Sequence, residues 1–150
     1  MATLDEASSG AVNGSASLGE ERLKHLEFLQ AVITRLSNHS FLVKGWALTL
    51  AAGFFAVASS QQSWQVAASG LVPLACFWFL DGLFLRQERL FRHLYDDVRR
   101  PGVEVETLSM DVRPYLRRIS WFEATFSRTL QLFYGALLVA DAALVAVMVR

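Results

Sequence analysis

The chain has a single cysteine, only three prolines and, over one long internal stretch, no formal charge. The lone thiol, Cys76, can close no internal disulfide, so cysteine usage does not report a redox compartment; its apolar surroundings make it a packing residue. Also missing are CxxC, HExxH, a Walker loop and GxSxG, which removes the common signatures of zinc, phosphate-loop and serine-hydrolase chemistry. The histidines His25, His39 and His93 are scattered. His93 with Asp96 or Asp97 has helical ligand spacing, but no further ligand lies nearby to complete a metal site. No nucleophile–base constellation, metal set or cofactor motif is present, and the expectation is a protein that is not an enzyme and takes no cofactor.

An excess of charge of either sign is missing as well. Fourteen Lys and Arg balance fourteen Asp and Glu. Glu88, Asp96, Asp97, Glu104, Glu106, Asp111 and Glu123 are interleaved with the arginines of the middle region. A salt-laced solvated face is therefore expected there, not a nucleic-acid surface.

The most informative absence runs from Gly45 to Leu80, 36 residues without Asp, Glu, Lys or Arg. As one helix this would be about 54 Å long, well beyond a hydrocarbon core of about 30 Å. The polar, uncharged "SSQQSWQ" at Ser59–Gln65 divides it into two spans. A third apolar run, Leu130–Val149, carries only Asp141. The mean hydropathy of +0.33 agrees with a small membrane protein.

The expected fold class is therefore all-α, with three transmembrane helices at about 41–58, 66–85 and 130–149, Pro73 kinking the second. Residues 1–18 lack the basic and apolar regions of a signal peptide and read as a disordered tail. An amphipathic helix at 19–40 follows, carrying Leu23, Leu26, Leu29 and Leu36 at helical spacing and ending at a break or bend in "SNHSF". The remainder, 41–150, forms the membrane domain. Its region 86–129 is expected to carry long amphipathic extensions of spans two and three, paired antiparallel. The first of these is a continuation of span two as far as the stop at "RRPG", and the second begins near Tyr115 behind a cap at Ser109 or Asp111.

Basic residues set a topology. Thirteen of the fourteen precede the first span, sit at its start (Lys44) or lie between the second and third; only Arg150 follows the third. The positive-inside rule makes that side cytoplasmic, with the N-terminus inside and the C-terminus outside. No internal repeat suggests an inverted-repeat transporter.

Two carboxylates fall inside spans. Asp81 lies five residues before Arg86, about 7 Å inside the boundary. Lys44 matches its depth on the antiparallel neighbour. The expectations for Asp81 are a Lys44–Asp81 pair, a pair with an arginine just below, or an ion or proton site. Asp141 has no basic residue at its depth. With Tyr134 seven residues earlier, it is a candidate oligomer or pore contact. Alanines at four-residue spacing, such as Ala47/Ala51 and Ala136/Ala140, allow close helix approach. Arg86, Arg117, Arg118 and Arg128 are candidate lipid-headgroup contacts.

The blocks "FWFLDGLFLRQERLFRHLYDDVR" (Phe77–Arg99), "SMDVRPY" (Ser109–Tyr115) and "FSRTLQLFYG" (Phe126–Gly135) resemble a group of small bacterial inner-membrane proteins. In that group an apolar span ends in an aromatic–Leu–Asp motif followed by an arginine-studded helix. The resemblance implies a bacterial inner-membrane location and carries no activity with it. The functional expectation is a scaffold or sensing/effector subunit acting through cytoplasmic helices, with the bilayer, a second copy or another protein as partner. The alternative is a small oligomeric channel or transporter subunit using Asp141 and Asp81.

Overall fold

The structure is a computed structural model that describes the backbone of residues 3–103, 105–106 and 108–149, with side chains from Gly19 onward. The tail expected at 1–18 lies outside the side-chain description. Among the described residues five α-helices follow in order: α1 (Thr3–Gln61), α2 (Trp64–Ser69), α3 (Leu71–Arg99), α4 (Trp121–Thr125) and α5 (Arg128–Val149), with a 3-10 turn at Arg113–Tyr115. No strand forms among the described residues, Val103, Val105 and Glu106 included. Three helical stretches are long and apolar enough to cross a membrane: Gly19–Gln61, Trp64–Arg99 and Arg128–Val149.

The break expected at "SNHSF" does not occur, and α1 passes through it without interruption. The segment contains neither Pro nor Gly, and its polar groups find partners across the bundle instead of in a local turn. His39 stacks on Phe84 of α3, with ring centroids 5.6 Å apart. Ser40 donates to Asp81, also on α3.

Pro73 does not kink the second span. It falls in the first turn of α3, where the missing N–H costs no helical hydrogen bond. The interruption lies three residues earlier, at Gly70. A Cβ there would stand 3.1 Å from Cγ of Phe54, so glycine lets α1 approach. α3 then runs unbroken to Arg99, where Pro101 and the left-handed Gly102 (φ 85°) end it.

The expected pairing of extensions from spans two and three is replaced by a different one. Beyond Tyr115 the chain makes turns, then the five-residue α4, before α5 starts at Arg128. The lower half of α3 packs chiefly on α1. Leu29 of α1 joins Leu90, Leu94 and Val98 of α3 in a buried cluster, which Tyr115 and Ile119 of the connector close. Side chains reach from one helix to the free ends of another. Arg22 of α1 donates to the carbonyls of Val98 and Arg100, both at 2.6 Å, satisfying the C-terminus of α3. His25 bonds the Ser109 carbonyl at 2.8 Å. Asp111 Oδ1 accepts the backbone N–H of Arg113, the first residue of the 3-10 turn, at 2.9 Å, and no α-helix starts there. A second cluster, Ala47, Leu74, Leu130 and Tyr134, joins α1, α3 and α5 in the apolar half.

Tyr115 gives a handle on the connector. Its hydroxyl donates to Asp97 Oδ2 at 2.8 Å. Burial, then the hydrogen bond to that carboxylate, pushes the phenol from an ordinary 10 up to about 12. Because the folded chain holds this proton more tightly than the unfolded chain, the contribution to stability is complete below pH 10 and is lost as pH rises through about 12. Unfolding titrations across that window are expected to show an alkaline loss of stability that Tyr115→Phe reduces. Deleting buried methylenes with Leu90→Ala is expected to cost ~2–5 kcal/mol in the same assay.

Candidate functional site

The most polar buried place in the molecule lies where the apolar half meets the basic half. Asp81 on α3 is fully buried. Lys44 Nζ of α1 stands 2.6 Å from Asp81 Oδ2. One turn back on the same helix, Ser40 donates to Asp81 Oδ1 and accepts from Lys44 Nζ at 2.8 Å. Four-residue spacing puts Ser40 and Lys44 on one face of α1, so the two side chains form a fork around the carboxylate. From α5, the Tyr134 hydroxyl reaches the Phe77 carbonyl at 3.2 Å and Asp81 Oδ2 at 3.4 Å. One carboxylate thus holds three helices, and each of its oxygens has a partner.

The site is walled by aromatic packing. The Trp78 and Tyr134 rings lie nearly parallel, 2° apart with centroids at 5.9 Å. The Trp78 indole N–H donates to the Thr125 carbonyl at 2.9 Å, at the last turn of α4. Gly82, next to Asp81, supplies the seat for α4. A Cβ on it would stand 2.5 Å from Thr125 Oγ1 and 3.0 Å from Thr125 Cα. An unbranched backbone there is a packing requirement, which explains a glycine inside a helix. Of these groups, Ser40, Trp78, Gly82 and Thr125 escape sequence reasoning. Gly82 alone leaves a signal, as a residue that weakens a helix without an evident local purpose.

The other candidate residues are distributed differently. Asp141 is 3% exposed, and neither carboxylate oxygen has a hydrogen-bond partner among the described residues. Tyr134 does not join it, because its hydroxyl is committed to Phe77 and Asp81. Both side chains turn into the bundle and not onto an outer face. Arg86 donates to the carbonyls of Ile119 (3.2 Å) and Leu116 (3.4 Å), so it fastens the connector to α3 and does not point freely at a headgroup. Arg118 lies 5.5 Å from the Tyr115 ring centroid in a cation–π contact. Arg117 and Arg128 are exposed. Glu88, nearly buried, takes Arg92 at 2.6 Å. Among the described residues no group of three or more His, Cys, Asp or Glu could hold a metal ion. No family model, curated protein or solved structure matches the chain.

Three substitutions test this geometry. Gly82→Ala drives a methyl into the Thr125 backbone and is expected to cost ~1–3 kcal/mol of stability. Gly45→Ala, where a Cβ meets nothing within 4 Å, is expected to be neutral or slightly stabilising. Tyr134→Phe removes one hydroxyl from the cluster and is expected to cost ~1 kcal/mol. SDS-titrated unfolding in micelles measures all three.

Proposed function

We propose that the chain is a non-enzymatic, multi-pass protein of a bacterial inner membrane, a scaffold or sensing/effector subunit that works as a homo-oligomer or with another protein. In this reading the basic half is cytoplasmic, the N-terminus lies inside and the C-terminus outside. The observation that carries it is the continuity of α1 and α3. Both helices pass unbroken from the apolar half, through the Asp81 cluster, into the polar half, where they pack on each other. A shift of the helices within the bilayer would thereby reach the polar platform as a rigid movement. That platform leaves Leu23, Phe28, Met110 and Leu116 exposed, apolar surface of the kind a second copy or a partner covers. The saturated Asp81 cluster supports a structural role for the intramembrane charges. The interleaved acids and arginines of the polar half supply no single-sign surface for nucleic acid.

A second reading, a small oligomeric channel or transporter subunit, is favoured by one observation: Asp141 is buried with neither oxygen partnered. Reconstitution separates the two. The scaffold reading expects defined oligomers in nanodiscs and no ion flux in proteoliposomes. Flux that disappears in Asp141→Ala would overturn it in favour of the pore.

A further inference from the structure

One stripe of α3 passes from aromatic to charged without changing face. Ala75, Trp78 and Phe79 recur, fourteen residues on, as Arg89, Arg92 and His93. Fourteen residues at about 100° each return to within about 40° of the same direction. The connector crosses this stripe at its middle, fixed by Thr125 over Gly82 and by Arg86 on the Ile119 and Leu116 carbonyls. It therefore leaves one recess on either side of α4.

On the apolar side is a slot of about 350 Å³, walled by Phe79, Trp121, Phe122 and Phe126. The Phe79 and Trp121 rings are 4.9 Å apart, and Phe122 is 67% exposed. On the polar side is a cleft of about 220 Å³, lined by Arg89, Arg92, His93, Asp96, Arg118 and Glu123. Arg92 is already neutralised by Glu88. The remaining charges are not. Among the described residues, Arg89 and Arg118 have no acid within salt-bridge distance, and Asp96 and Glu123 have no cation. Two arginines and two carboxylates share one small cleft without pairing, a pattern complementary to a ligand that carries both signs. Trp121 and Phe122 of the slot are followed directly by Glu123 of the cleft, so a single amphiphile spans the two. Depth agrees: Arg89 lies three residues, about 4.5 Å, beyond the Arg86 boundary, within the headgroup layer, and Phe79 lies in the hydrocarbon.

We propose that this face binds one phospholipid whose headgroup carries a phosphate and a primary ammonium, phosphatidylethanolamine in chemical terms. The phosphate is held by Arg89 and Arg118, with His93 beside them. The ammonium is held by Asp96 and Glu123, and an acyl chain lies against Phe79, Trp121, Phe122 and Phe126. A trimethylated headgroup keeps the charge but loses the N–H donors that the carboxylates accept. A glycerol headgroup keeps the phosphate but leaves both carboxylates unmatched.

The inference rests on the membrane placement proposed above, and the experiment keeps the two separate. Flotation with vesicles first reports whether the full chain inserts; failure there contradicts the membrane placement itself. The inserted, then solubilised, protein is offered equal amounts of phosphatidylethanolamine, phosphatidylcholine and phosphatidylglycerol, and retained lipid is counted by native mass spectrometry. The ethanolamine lipid is expected to be retained over both others. Glu123→Gln and the double variant Arg89→Gln, Arg118→Gln are each expected to lower that retention by about tenfold, roughly one charge-assisted hydrogen bond. Arg99→Gln, exposed at the far end of α3, is expected to leave it unchanged. Circular dichroism of each variant confirms the fold before lipid is counted, and quenching of Trp121 by chain-brominated lipid reports occupancy of the slot independently. Equal retention of all three lipids, preference for phosphatidylglycerol, or an equal effect of Arg99→Gln would overturn the proposal.

Discussion

A carboxylate buried among three helices has to be held, and the rest of this molecule is arranged around how Asp81 is held. Moving an ionised side chain into a bilayer costs ~2.5–3.5 kcal/mol even on insertion scales, and that cost falls only if partners meet it. Here the partners come from different helices: Lys44 and Ser40 from α1 and Tyr134 from α5. Each contact that satisfies the charge therefore also fixes the relative depth and rotation of two helices. Apolar packing tolerates small slides of one helix along another better than a buried ion pair does.

The same logic extends outward from that layer. With α1 and α3 registered at Asp81, Leu29 comes opposite Leu90 and Leu94, and Arg22 reaches the last carbonyls of α3. On the other face of α3, Gly82 clears space for Thr125, Trp78 bonds its carbonyl, and Arg86 ties down the segment before α4. The connector is thus held by polar contacts to α3 and not by a helix of its own. Its placement opens the two recesses proposed to receive a phospholipid.

Much of this was legible in the residues. Three apolar runs and a polar uncharged turn are local properties of composition, and three helical stretches long and apolar enough to span a membrane are found. The continuation of the second span to Arg99 followed from an unbroken apolar stripe with a Pro–Gly stop. Lys44 and Asp81 could be matched because antiparallel neighbours share depth. What was not legible depends on non-local contacts. "SNHSF" looks like a breaker until Ser40 is seen bonded to Asp81 and His39 stacked on Phe84. The residues after Tyr115 have helical spacing, yet Arg86 takes the carbonyls of Leu116 and Ile119. Tyr134 and Asp141 share a helix, but only the position of Phe77 and Asp81 decides where the phenol goes.

A double-mutant cycle on Lys44 and Asp81 bears most directly on the claim that this cluster organises the fold. Lys44→Met leaves a buried carboxylate without its cation and is expected to cost ~3–5 kcal/mol in SDS-titrated unfolding. Combining it with Asp81→Leu removes the stranded charge and is expected to recover most of that loss, giving a strongly non-additive cycle. A Lys44→Met cost below ~1 kcal/mol, the range of a solvated ion pair, with an additive double variant, would contradict the account.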